Sequence, residues 1–274
     1  MTQPAGLTRA GASARWEGMP VARLVVLPPS PWSERARWAL DHHRIPYRVI
    51  EHVPFLHERR LRRLVGNPAR RVTVPVLLAG DELFTDSWDI ARYADRVGRE
   101  APLIPPAFEA AVRRWSELAE RAMSAARPLT LRRLLESEGA LAEALPPPVP
   151  AWARPLLWPV ARFVTEWFAR KYAANLQDAA AATATLSAAL AELRAALGGA
   201  DHLLHGFSYA DIVMAVLLQG VAPVADRYIR LGPATRTAWT QPELARSNAD
   251  LVAWRDRLYE RHRPRPLPLP AADA

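Results

Sequence analysis

Cysteine is absent from the 274-residue chain, which excludes disulfides, thiolate metal sites and any protein thiol as nucleophile or redox centre. Sulfur chemistry here requires a sulfur brought in by a ligand. Lysine is almost absent as well. Lys171 is the only one, so the formal net charge of +8 is carried by arginine. The arginines are scattered among acids and alanines, with no zinc-ligand spacing, helix-turn-helix signature or aromatic–basic strand pattern, which argues against a nucleic-acid partner. Hydrophobic residues make up 50% of the chain, yet no apolar run reaches the roughly 20 residues needed to cross a bilayer. No membrane partner is expected.

What is present centres on one stretch. Leu24-Val25-Val26-Leu27 has the length and composition of a buried strand, and Pro28-Pro29-Ser30-Pro31-Trp32-Ser33 turns it into the helical segment Glu34 to Asp41. Ser30 suits the N-cap of that helix and Pro31 its first position, where a missing N–H costs nothing. The helix would then point its free amides and positive dipole end above the strand, where an anion is favoured. A capped helix start and an anion site are both compatible with these residues.

The following segments extend the pattern. Arg44 to Glu51 is a second strand candidate. A basic connector and Asn67-Pro68 come next, then Val72 to Leu78, a turn at Ala79-Gly80-Asp81-Glu82, and Leu83-Phe84. Thr85-Asp86-Ser87-Trp88 opens another helix. Pro102, Pro105 and Pro106 mark a linker. Beyond it, Ala107 to Arg127 carries the apolar spacing of an amphipathic helix, with Val112, Trp115, Ala119 and Ala122 on one side. Pro146 to Pro150 reads as a stiff break and Arg154 to Leu176 as an aromatic-rich helical stretch. The run Asp178 to Leu197 reads as a helix ending at Gly198-Gly199. Phe207-Ser208-Tyr209-Ala210-Asp211-Ile212 has the form of a capping box with Phe207 stapling onto Ile212, followed by a buried helix. Leu244 to Arg261 forms a last helix with Leu251, Trp254 and Leu258 inward.

The order βαβ, connector, ββ and helix, followed by a helical half with its Ser-x-x-Asp box, resembles the glutathione transferases over about residues 21–262. The resemblance implies an α/β plus all-α fold: a thioredoxin-like βαβ-ββα N-terminal domain over 21–100 and an all-helical C-terminal domain over 105–262. A flexible extension at 1–20 and an extended Pro-rich tail at 263–274, open to a partner that reads polyproline, complete the chain. The family's activity implies glutathione as co-substrate, a hydrophobic small-molecule electrophile, no metal, a cytoplasmic setting and a homodimer. The runner-up reading is a non-catalytic module of the same fold that binds ligands or proteins.

The resemblance also assigns residues. Ser30 stands where serine-type members keep the hydroxyl that donates to the glutathione thiol, with Ser33 as the alternate donor. Val74-Pro75 matches the family's cis-proline, whose preceding main chain pairs with the cysteinyl backbone of glutathione. Asp86-Ser87 matches the pair that takes the γ-glutamyl group, although either residue also suits a helix cap. The loop from Asn67 to Pro75 is longer than the family's pattern. The glycine carboxylate is therefore unplaced, with Arg70 and Arg71 as candidates against a solvated-loop reading. His42, His43, His52 and His57 fit no metal spacing and read as surface residues.

Overall fold

The apolar run that opens the N-terminal domain is buried on both faces: Leu24, Val25 and Val26 of β1 (Ala22–Val26) are all at most 3% exposed, as a strand covered on both sides requires. The structure, a computed structural model, describes residues 21–54, 56–66, 72–144, 157, 159–160, 162–163, 165–167 and 179–264. The expectations for residues 1–20, for Asn67, Pro68, Arg70 and Arg71, for 146–150, for most of 154–176 and for the tail from 265 onward lie outside the described residues.

From β1 the chain turns through Pro28-Pro29 into α1 (Pro31–His42) and returns as β2 (Tyr47–Glu51), parallel to β1 with Ala22 opposite Tyr47 and Val26 opposite Glu51. The expected second strand began at Arg44; Arg44 instead takes φ 53° in the turn between them. After α2 (Glu58–Leu64), β3 (Val76–Ala79) lies antiparallel to β1 and β4 (Glu82–Phe84) antiparallel to β3. The sheet order is β2-β1-β3-β4, and α3 (Ser87–Val97) packs beside α1. This is a thioredoxin-like arrangement.

The remainder of the described chain is helical. α4 (Glu109–Leu135) runs past Pro128, beyond the expected end at Arg127. An interior proline costs a helix bond, but Leu131, Leu134 and Leu135 form an apolar cluster on the far side that rewards continuation. α4 packs on α6 (Ala179–Leu197) and α7 (Tyr209–Leu217), with the short α5 (Glu138–Glu143) beside α8 (Pro233–Trp239). The single last helix expected from Leu244 is two: α9 (Pro242–Ser247) ends at Asn248, and α10 (Ala249–His262) follows. Every residue of α7 is buried. Its start is the capping box, Ser208 and Asp211 satisfying each other's backbone amides. Phe207 packs its ring flat on His262 at 4.0 Å and near Trp38 at 6.1 Å.

The surface reading of the histidines is corrected at two positions. His43 is 4% exposed, with Nε2 2.7 Å from Asp95 Oδ1, and His52 is 3% exposed. Asp95 also accepts from the amides of Leu103 and Ile104 at 2.8 and 2.7 Å, so His43 is built into the junction of α1, α3 and the linker. Its ring lies so close to Gly98 that a Cβ there would collide with it. Only glycine fits at that point.

Candidate functional site

The turn from β1 into α1 places two serines differently. Ser30 is the N-cap residue of α1 in extended conformation, φ −70° and ψ 125°, with Pro31 at the first helical position. Its main chain is used: the amide donates to Leu27 O at 2.9 Å and the carbonyl accepts from Glu34 N at 3.0 Å. Its hydroxyl makes no capping bond. An N-cap serine normally gives its oxygen to one of the first helical amides, so here hydroxyl and amides alike remain available at the positive end of the helix. Ser33, by contrast, has no exposed surface, and its Oγ accepts from Leu27 N at 3.2 Å. In this conformation it closes the turn and offers no ligand contact.

The Val74–Pro75 peptide is cis and precedes β3 directly. Val76 pairs with Val25 in the ladder, while no intrachain hydrogen bond engages the Val74 main chain among the described residues. Its N–H and C=O stand beside the end of β1 with no partner among those residues.

Asp86 caps α3, accepting from Trp88 N at 2.7 Å. Ser87 is 5% exposed and its carbonyl accepts from Tyr209 OH at 3.0 Å, which ties the start of α3 to the start of α7. Burial pushes the Tyr209 hydroxyl pKa up, so it stays a neutral donor. Asp86, Ser87, Trp88 and Asp89 form one wall of a cleft of about 290 Å³; Arg35 lies within it, and Arg113, Ser116, Glu117 and Glu120 of α4 form the other wall. The Arg113 guanidinium lies over the Trp88 ring at 4.5 Å.

Arg35 is 1% exposed. Its Nη1 donates to Glu120 Oε2 at 3.2 Å, Nη2 faces the Met123 sulfur, and Nε has no hydrogen-bond partner among the described residues. Burial lowers its pKa, opposed by Tyr209, Glu120 and Asp86. Two arginines and four carboxylates thus share one cleft with a helix N-terminus. Such a surface can take a small ligand that carries an ammonium and a carboxylate together. Sequence reading missed the α4 wall, because Arg113, Glu117 and Glu120 look like the solvated face of an amphipathic helix. Among the described residues no group of three or more His, Asp or Glu could hold a metal ion, and no helix is long and apolar enough to cross a membrane.

The sequence profile described as "Glutathione S-transferase, N-terminal domain" matches residues 24–100. Residues 24–100 thus match the N-terminal domain of that family. Most of the chain shares the fold of glutathione transferases of known structure. One similar structure is a glutathione S-transferase from Methylobacterium radiotolerans in complex with glutathione sulfonate, at 20% identity and TM-score 0.54, covering 92% of this chain and 98% of that one. Another is the glutathione transferase GSTFuA2 from Phanerochaete chrysosporium, at 16% identity and TM-score 0.58, with 90% and 100% covered. A third is the beta-etherase LigF from Sphingobium sp. strain SYK-6, at 17% identity and TM-score 0.56, with 88% and 96% covered. No curated protein matches the chain by sequence. Ser30 precedes α1, the cis Val74–Pro75 pair precedes β3, and Asp86 and Ser87 cap and open α3.

Proposed function

We propose that the protein is a glutathione transferase that binds glutathione across the N-terminal domain and presents its sulfur to a hydrophobic electrophile. The observation that carries this reading is the Ser30 hydroxyl, which makes no capping bond at the start of α1. A free thiol has a pKa of about 8.5, so only a few per cent is thiolate at neutral pH. A hydroxyl donor plus the helix dipole favours the anion, and lowering the pKa by two units requires about 2.7 kcal/mol. The nucleophile is the ligand's sulfur, which suits a chain without cysteine.

The Val74 main chain, with no bond to the described residues, suits the cysteinyl backbone of the tripeptide. The γ-glutamyl head, with its ammonium and carboxylate, suits the cleft at Asp86 and Ser87, and a similar transferase structure in complex with glutathione sulfonate supports glutathione as the ligand. Residues 21–100 are the glutathione domain in this reading and 105–262 the helical domain that completes the second-substrate pocket. The protein acts in the cytoplasm as a homodimer.

The test is Ser30→Ala assayed with glutathione and a chromogenic electrophile. Turnover should fall by about tenfold or more, with the glutathione Kd within about threefold of the parent. Unchanged turnover removes Ser30 from the reaction. Turnover absent from the parent protein itself supports the ligand-binding module instead.

A further inference from the structure

Arg263 follows the last helix and lies 222 and 229 residues along the chain from its two ion-pair partners, yet it is only 8% exposed. Two carboxylates of α1 receive it: Nε donates to Glu34 Oε1 at 2.8 Å and Nη1 to Asp41 Oδ2 at 2.6 Å. Glu34 has no exposed surface and Asp41 is 4% exposed. Asp41 accepts in addition from Tyr47 OH at 2.9 Å, and Arg263 Nη1 also donates to Pro264 O at 3.0 Å. Between the two acids, Trp38 donates Nε1 to His262 O at 2.9 Å and packs on Tyr259 at 4.4 Å. Glu34, Trp38 and Asp41 are spaced by four and three residues, so they share one face of α1. That face is given over to the end of α10 and to Arg263.

The same helical turn holds the proposed thiol donor. Glu34, gripped by Arg263, donates its amide to the carbonyl of Ser30 at 3.0 Å. A shift or tilt of the first turn of α1 therefore moves the Ser30 hydroxyl and the helix amides together. Misplacement of a reacting geometry by about 1 Å can cost on the order of 100-fold in rate. We infer that Arg263 is a positioning residue for the thiol site: from the C-terminal end of the helical half it fixes where α1 presents Ser30. This inference rests on the proposed role of Ser30. A guanidinium fork serves two carboxylates at fixed angles, whereas a lysine ammonium is a single point charge, so Arg263→Lys should restore the function only in part.

The experiment compares the full-length protein with Arg263→Gln and Arg263→Lys by two readouts. The first is hydrogen exchange of the α1 amides without ligand. The second is the thiolate absorbance of bound glutathione against pH. Arg263→Gln should raise exchange of the α1 amides from Glu34 onward, beginning with the one bonded to Ser30 O, by about tenfold or more while leaving α6 unchanged. It should also raise the pKa of the bound thiol by about one unit, a tenfold fall in the thiolate-to-thiol ratio, with the glutathione Kd within about threefold. Arg263→Lys should fall between the two. Parent-like exchange in α1, or raised exchange with an unchanged thiolate fraction, overturns the inference; the latter would leave Arg263 a stability residue only. If Arg263→Gln does not accumulate folded, the neutral triple variant Glu34→Gln, Asp41→Asn, Arg263→Gln leaves no buried lone charge and is judged by the same readouts. A parent protein that shows no shift of the bound thiol contradicts the proposed function, and exchange in α1 then decides by itself whether Arg263 sets that helix.

Discussion

Trp32 on α1 and Glu120 on α4 share a 2.7 Å hydrogen bond, indole Nε1 to carboxylate Oε2, and the same oxygen receives Nη1 of buried Arg35 at 3.2 Å. One carboxylate of the helical half therefore holds two side chains of the helix that begins at Ser30. The Trp32 ring is covered in turn by Arg127 of α4 at 4.0 Å. Glu120→Ala strips Arg35 of the carboxylate it bonds and leaves a buried cation. Because the Glu120 side chain is 49% exposed, the cost should be about 1–3 kcal/mol, below the roughly 3–5 kcal/mol of a fully buried pair. Glu120→Gln, which still accepts from Trp32, should cost less. Urea unfolding of the three proteins checks the order.

Asp86 is given two roles that one substitution separates. Asp86→Asn keeps an oxygen for Trp88 N and should change stability by less than about 0.5 kcal/mol, since asparagine caps as well as aspartate. Without the negative charge, glutathione should bind about tenfold more weakly, about 1.4 kcal/mol. Asp86→Ala should lose both, with a cap cost of about 1 kcal/mol. Calorimetry for binding and denaturation for stability distinguish the two effects.

The capping box of α7 predicts a graded series. Ser208→Ala removes the cap oxygen and should cost about 1 kcal/mol. Asp211 has no exposed surface and accepts from Leu203 N at 2.8 Å and Ser208 N at 2.9 Å. Asp211→Ala orphans the buried Ser208 amide and the half-buried Leu203 amide and should cost about 3 kcal/mol. Equal losses in the two variants would contradict the box as drawn.

Acid should weaken the seam between α1 and α10. His42, with Nε2 2.9 Å from Ala101 O, and His262, whose Nε2 lies 3.2 Å from His202 Nε2, both have pKa values lowered chiefly by burial. For His262 the neighbouring His202, His42 and Arg261 add to the lowering and Asp201 opposes it. A histidine whose folded pKa lies below its unfolded value of about 6.5 leaves the unfolded state binding more protons in between. Its stabilising contribution is present above about pH 6.5 and is lost as pH falls from there toward the folded pKa. The urea midpoint should drop from about pH 7.5 to about pH 5.5, and His262→Asn should flatten the drop. A midpoint that rises on acidification would contradict this.

What the sequence showed and what it hid divide along a physical line. The β1–α1 turn, the acidic cap of α3, the capping box of α7 and the inward Leu251, Trp254 and Leu258 were legible because each is local, a residue type at a fixed offset from a helix start or an apolar period. Glu34, Arg35, Asp41 and Arg263 were not legible, since charged residues are buried only when paired and their partners lie far along the chain, 229 residues apart for Glu34 and Arg263. His43, whose partner Asp95 lies 52 residues on, was read as surface for the same reason. Ser33 stands one helical turn from Ser30, both are buried, and no sequence signal tells which hydroxyl is engaged by the turn.

The central claim is that Ser30 and the start of α1 ionise a thiol brought by glutathione. The direct measurement is ultraviolet absorbance of the glutathione complex at the thiolate band, titrated from about pH 5 to about pH 9. The account predicts a bound thiol that ionises well below about 8.5, and a return toward that value in Ser30→Ala. A bound thiol that titrates like free glutathione in both proteins would contradict it.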